Sequence, residues 1–348
     1  MSRRSAQDSQ SLPEKPLCRT SAGLAQPANS HSSRPQRRPE STERREDTQK
    51  HSNATGIPVP PASNVTGSRA VLLNLLQISD SAFPISGFTH SGGVEAAWRR
   101  GAVPCTESLQ RLLKTCILTI CSQQVPYVVA AHTIVATLAA EGASSASSYP
   151  PQSEDSAKED DLPEWALQLT DLDRTLSVSM SNHVSRRASL QQGRSLLSLA
   201  IDVFPNAAPL KQLPPLCPNG LASLTTSSAV GNASHSEATN SSSRKLVFEG
   251  HLAVVFGAVC ALLGVQRNET VDTFAFSALR NCVSAAVRLG RIGSVHAQRL
   301  QNDLSEFCLR TAQRYSQKRC GQEDHQSAPI LDVYQNSQDQ LFTKMFYS

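Results

Sequence analysis

The residues with the most chemical potential in this chain sit close together. Between positions 80 and 95 the sequence DSAFPISGFTHSGGVE gathers Asp80, Ser81, Thr89, His90, Ser91 and Glu95. A serine, a histidine and a carboxylate are the parts of a nucleophilic hydrolase, in which the imidazole takes the hydroxyl proton and the acid orients the imidazole. Position argues against that use. The serines fall where a chain turns or a helix is capped, beside Pro84, Gly87 and the Gly92–Gly93 pair, and nothing matches a G-x-S-x-G nucleophile elbow. The cluster reads as a polar junction between two helices, and no catalytic residue is predicted from it.

Other chemistry is equally thin. There is no G-x-x-x-x-G-K-[ST] loop to cradle a nucleotide. His90 and Glu95 are five apart, and His183 and His251 stand alone on predicted helices, so no three or four ligands converge by spacing as a metal site requires. The nine cysteines include no C-x-x-C pair, and Cys116, Cys260 and Cys282 lie within apolar periodic segments. They read as buried thiols of a protein kept in a reducing compartment.

Charge divides the chain. Residues 1–68 hold 10 Lys/Arg and 6 Asp/Glu; residues 69–348 hold 23 of each, so the net +4 belongs to the N-terminal arm. That arm is rich in Ser, Pro, Arg, Gln and Glu and is expected to be disordered. Met1 is followed by Ser-Arg-Arg and no apolar core, which predicts no secretory signal and a cytoplasmic location. The most apolar stretches, 127–140 and 251–265, are too short to span a bilayer and each carries a histidine.

The elements that must position the polar junction are helical. Leu109, Leu112, Leu113, Cys116, Ile117 and Ile120 recur at i, i+3, i+4 spacing after a Thr106 cap. Pro126 is expected to open a second helix through Leu138. Val271, Phe274, Ala275, Ala278, Leu279, Cys282, Ala286 and Val287 form a third stripe, capped by Asn268 or Thr270 and stopped by Gly290. Further helices are expected over 172–200, 251–263 and from Ser294 to about Gln317. No stretch alternates like a strand. The expected fold is all-α: one multi-helix, bundle-like domain over 69–348. Its low-complexity insertions at 141–162 and 205–245 are expected to be disordered, a polar link covers 319–338, and an apolar tail (Leu341, Phe342, Met345, Phe346, Tyr347) should dock somewhere.

Five pieces of this sequence, in order, resemble the urease accessory protein F (UreF) family. Near the start are Leu75-Leu76-Gln77, Asp80-Ser81, Phe83-Pro84, Thr89-His90-Ser91, Gly93 and Glu95. Ser86-Gly87 stands where the family more often has glycine and then a small residue. Arg187-Ala188-Ser189 with Gln192-Gly193-Arg194 resembles the family's middle helix; His251, Phe256-Gly257 and Leu263-Gly264 resemble a later element. Ala286-Val287-Arg288-Leu289-Gly290, with Ile292-Gly293 and Gln298, resembles the R-L-G-x-x-G…Q signature. The ending Leu341–Ser348 resembles L-Y-S-R-L-F-x-S, with Lys344 in the place of arginine. The resemblance covers roughly residues 70–140, 163–204 and 246–348.

It implies an all-α, dimeric, non-enzymatic adaptor. Such a protein binds accessory protein D (H in some bacteria) and the GTPase accessory protein G, and with them delivers nickel to apo-urease. No cofactor is expected to be bound tightly, nickel being at most in transit, and neither nucleic acid nor membrane is an expected partner. Three surfaces are candidate interfaces: the junction (Asp80, Ser81, Phe88, His90, Ser91, Glu95), the tail (Leu341, Phe342, Lys344, Phe346), and the stripe helix (Asp272, Phe276, Arg288). Junction packing is expected from Phe83 and Phe88. Three readings compete: a helical nucleic-acid-binding module using the basic arm, a helical enzyme, and a nickel-storage protein, which the histidine spacing does not support. The neutral folded region weighs against the first, and the absence of a convergent acid/base set against the second.

Overall fold

Apolar residues at helical spacing, interrupted by glycine and proline stops, give a wholly helical architecture. In this computed structural model, residues 67–142, 162–217, 246–321 and 328–348 are described; the N-terminal arm and most of the two insertions lie outside them. The helices are α1 (Gly67–Ser79), α2 (Val94–Arg99), α3 (Thr106–Gly142), α4 (Glu164–Ser179), α5 (His183–Val203), α6 (Leu252–Leu262), α7 (Arg267–Arg288), α8 (Ser294–Ser316) and α9 (Pro329–Asn336). Short 3₁₀ turns cover Gly87–Thr89, Pro205–Gln212 and Ser337–Gln340. No strand forms among the described residues, and the all-α expectation holds.

α3 is the axis of the bundle. It packs against α4, α6, α7 and α8. At 37 residues it is about 55 Å long. By length and composition its 106–138 portion could cross a bilayer, although 61 % of its most apolar window is buried by neighbouring helices. The expected break at Pro126 does not occur, and the helix runs through it. Proline removes one intrahelical N–H bond, but Val125, Tyr127 and Val128 around it are fully buried, and that packing outweighs the loss. α6 reaches α3 so closely that a Cβ on Gly257 would lie 2.3 Å from the Val128 carbonyl oxygen. Between α5 and α6 a Cβ on Gly193 would lie 2.2 Å from the Gly250 oxygen.

Three other expectations are corrected. α7 begins at Arg267, before both expected caps; Thr270 lies inside the helix, where its hydroxyl donates to the Gln266 carbonyl at 3.0 Å. The second insertion begins later than composition indicates. Ala207 and Leu210 are buried at the three-residue spacing of a 3₁₀ turn, and Cys217 N–H bonds the Phe248 carbonyl at 2.9 Å. The polar link over 319–338 contains α9, held by buried Leu331, Asp332 and Gln335.

A buried carboxylate ties α4 to the start of α6. Asp173 accepts the backbone N–H groups of Glu249 (2.8 Å), Gly250 (2.8 Å) and His251 (2.9 Å), buried donors of the segment that leads into α6. Burial outweighs those bonds and lifts its carboxyl to about 6. His251 shares a 3.1 Å hydrogen bond with Ser189. Burial first, then Arg186 and Arg194, pushes its imidazole down to about 3, so it is a neutral structural group.

Candidate functional site

The tail does dock, and it docks on its own chain at the polar junction. Glu95 points from α2 into the seam with no exposed surface. One of its oxygens accepts the Met345 N–H at 2.8 Å; the other accepts the Phe346 N–H at 2.9 Å and the Gln338 side-chain amide at 2.9 Å. Gln338 also donates to the Phe346 carbonyl at 3.1 Å. Two backbone bonds extend the seam: Tyr347 N–H to the Thr89 oxygen at 2.8 Å and Ser91 N–H to the Ser348 oxygen at 2.6 Å. His90 closes it through a hydrogen bond between Nδ1 and the Ser348 hydroxyl. Burial, then the nearby Arg187, holds its imidazole down at about 4, so it is neutral at neutral pH.

Local geometry explains why the junction can receive a tail. Asp80 accepts from Ala82 N–H at 2.9 Å, and Thr89 donates to the Ser86 carbonyl at 2.7 Å, so both side chains fold the loop upon itself. Ser86 sits at φ +64, a conformation glycine takes without strain. The adjacent Gly87 is where a Cβ would lie 3.0 Å from Asn281 Nδ2. The order of small residues in this chain therefore places the side chain at the left-handed position and the bare Cα at the crowded one. Phe83 is buried and stacks on Phe204 with ring centroids 6.2 Å apart. Phe88, expected to pack inward as well, is 58 % exposed.

α7 and α5 hold the tail from the sides. Arg280 donates to the Ser79 carbonyl at the end of α1, and Arg288 to the Phe88 carbonyl. The Arg288 guanidinium also lies 4.5 Å from the centre of the Phe346 ring, which is buried. Lys344, standing where the family has arginine, makes a single 3.6 Å contact with Asp339. The forked contact to Asp339 comes from Arg187 on α5, at 2.7 and 3.1 Å, with His183 on the same carboxylate at 3.1 Å. Arg187 and His183 hold the Asp339 carboxyl down at about 2. Arg187, Gln338 and Asp339 were not among the predicted site residues. The Arg187-Ala188-Ser189 run is visible in sequence, but nothing in it says that the arginine meets the tail.

The predicted residues therefore divide. His90, Ser91, Glu95, Arg288, Lys344 and Phe346 meet in one seam, with Asp80 and Ser81 in the loop leading to it. Leu341 is half-buried, while Phe342 is fully exposed, so only Phe346 of the aromatic tail residues fills a groove. Asp272 and Phe276 lie elsewhere, about 24 and 18 Å up α7 from Arg288. Asp272 accepts from Gln313 of α8 at 2.8 Å, and Phe276 is half-buried outside the core cluster.

A cavity of about 420 Å³ opens beside the seam, lined on its apolar side by Phe83, Phe256 and Phe274 and on its polar side by Gln192, Asn281 and His90. Among the described residues no three His, Cys, Asp or Glu side chains are grouped to hold a metal ion. Cys116, Cys260 and Cys282 are buried free thiols, and burial pushes Cys260 up to about 12.

Known proteins share this sequence pattern. The UreF family model matches residues 105–305. Proteins named urease accessory protein F are 27 % identical over 286 residues in Oryza sativa subsp. japonica, covering 82 % of this chain and 88 % of the relative. In Arabidopsis thaliana the figures are 28 % over 272 residues, 78 % and 90 %. A Schizosaccharomyces pombe protein described as an uncharacterized urease accessory protein UreF-like is 23 % identical over 274 residues, 78 % of this chain and 95 % of its own. A match over more than half the chain, with relatives aligned through most of their length, establishes that this chain belongs to the UreF family.

Proposed function

We propose that this protein is a non-enzymatic adaptor of urease maturation. It works as a homodimer in the cytoplasm with D-type (H-type) and G-type accessory proteins, and the assembly docks on apo-urease and assists nickel insertion. Nickel passes as cargo and is not a resident cofactor. Family membership supports the urease context. The observation that carries the adaptor reading is the division of labour at the seam. Glu95, Ser91 and Arg288 spend their polar groups on the chain's own backbone, while Phe88, Phe342, Met345 and Tyr347 remain more than half exposed around it. Exposed aromatic and methionine side chains on a backbone held rigid from below suit protein docking.

The test is co-expression of the tagged chain with its D-type and G-type partners, followed by purification of the complex. Wild type should co-elute with both. Phe342→Ser, which removes an exposed ring without touching the seam, should weaken the complex while leaving the helical melting curve unchanged. Deletion of 341–348 should abolish it. A folded, helical wild-type chain that captures neither partner would overturn the reading. A complex indifferent to Phe342→Ser and to the deletion would move the interface away from the tail.

A further inference from the structure

Trp98, on the last turn of α2, is half-buried, and two guanidinium groups stack on it: the Cζ atoms of Arg99 and of Arg291 each lie 4.7 Å from the ring centre. Arg291 arrives from the turn between α7 and α8, so the arrangement is built by tertiary packing and not by sequence neighbours alone. Stacking fixes each guanidinium while leaving its N–H edge available. Arg99, Arg100 and Arg291 are all exposed. Their positive charge is poorly matched locally. Glu95 lies 3.8 Å from Arg99, but its oxygens already accept from Met345, Phe346 and Gln338. Arg100 meets only the neutral amide oxygen of Gln340, at 3.4 Å. Among the described residues neither Arg100 nor Arg291 forms an ion pair.

We infer that the Trp98–Arg99–Arg291 corner is a docking site for an acidic peptide segment of a partner protein. Its carboxylates take the guanidinium edges that the indole holds in place. Charge complementarity and pre-organisation carry the assignment. Forked N–H donors match carboxylates two at a time, and a ring that already holds both guanidiniums reduces the ordering that binding requires. A nucleic acid is the poorer fit. Binders of that class neutralise on the order of six to ten phosphates, whereas this corner offers three arginines on a region, residues 69–348, whose 23 cations and 23 anions cancel. The site goes beyond the adaptor proposal, because it specifies a ligand chemistry that does not depend on which accessory proteins assemble.

The full-length chain would be titrated at low salt with a fluorescent Glu/Asp-rich decapeptide, with its Lys-substituted counterpart and with a single-stranded oligonucleotide. Trp98 emission is a second readout, since the other tryptophan, Trp165, is buried. Saturable binding of the acidic peptide alone is expected, with a change in indole emission and weakening as salt rises. Arg291→Gln should lower affinity about tenfold and Arg291→Lys less. Arg174→Gln, an exposed arginine on α4, should leave it unchanged. The variants lie on the surface and their melting curves should match wild type. No saturable binding of the acidic peptide, equal loss in Arg174→Gln, no loss in Arg291→Gln, or preference for the oligonucleotide would each overturn the inference.

Discussion

Replacing Glu95 with glutamine tests whether the tail is latched by one carboxylate. The three donors are Met345 N–H on one oxygen, and Phe346 N–H with the Gln338 amide on the other. Glutamine offers only one acceptor oxygen. If its NH₂ group takes the place of the oxygen facing Met345, one bond is lost and two donors confront each other; in the other orientation two bonds are lost. The first arrangement is less costly. It forfeits one bond to a charged acceptor, about 1.5–3 kcal/mol, and turns the remaining two into neutral bonds of roughly half the strength. The total is about 3–6 kcal/mol, borne by the tail and not by the core, since Glu95 touches no α3 or α6 donor. Hydrogen exchange reads it directly. The Met345 and Phe346 amides should exchange at least about a hundredfold faster in Glu95→Gln, whereas amides of α3 and α6 keep their wild-type protection. Unchanged protection at Met345 and Phe346 would refute the latch. Equal acceleration in α3 would show that Glu95 supports the whole bundle.

Three further outcomes follow from the same geometry. Ser86→Gly should stabilise the protein by roughly 0.5–1 kcal/mol, because glycine relieves the φ +64 strain, and Gly87→Ala should destabilise it by about 1 kcal/mol because its Cβ would meet Asn281 at 3.0 Å; thermal melting checks both. His90 is depressed from 6.5 to about 4, so its contribution to holding the tail is complete above pH 6.5 and is lost as pH falls toward 4. The loss is about 3 kcal/mol, seen as faster exchange of residues 345–348 and flattened in His90→Asn. Gly193→Ala would drive a Cβ to 2.2 Å from the Gly250 oxygen, backbone against backbone, and should cost more than about 3 kcal/mol in chemical denaturation, whereas Gly293→Ala, with nothing within 4 Å, should be near neutral.

What could be read in the sequence was whatever a local period or a short motif records. The α7 stripe and its Gly290 stop, the α8 limits, and the helix–loop–helix about His90 are all of that kind, and the structure places them within a few residues of expectation. Features decided by tertiary contact were hidden. Pro126 reads as a helix start because the local rule is correct and the burial around it is invisible. Residues 205–217 read as an insertion because Pro and Asn dilute the apolar anchors that the fold uses. At the site, Glu95 and Phe346 were legible as a carboxylate and an apolar tail residue, but their pairing across 251 positions was not. Arg187 and Asp339 were missed for the same reason, since neither the polar tract around Asp339 nor the α5 sequence names its partner.

Lys344 makes that last point concrete. Read alone, lysine in place of arginine weakens a forked contact with a carboxylate, because an ammonium cannot present two parallel donors. The structure shows the fork supplied from α5, where Arg187 takes both oxygens of Asp339 while Lys344 adds a single 3.6 Å contact. Arg187 also lies with its Cζ 5.1 Å from the Tyr347 ring, so one side chain binds the tail by charge at Asp339 and by its aromatic residue eight positions later. The tail's hold on the bundle therefore rests on Glu95 and Arg187, both within the folded region, and less on the tail's own cation. That division leaves Lys344 exposed and only lightly engaged, beside the free ring of Phe342. A cation and an aromatic ring spared from holding the fold join Phe88 and Met345 among the groups on this face that remain available to a partner.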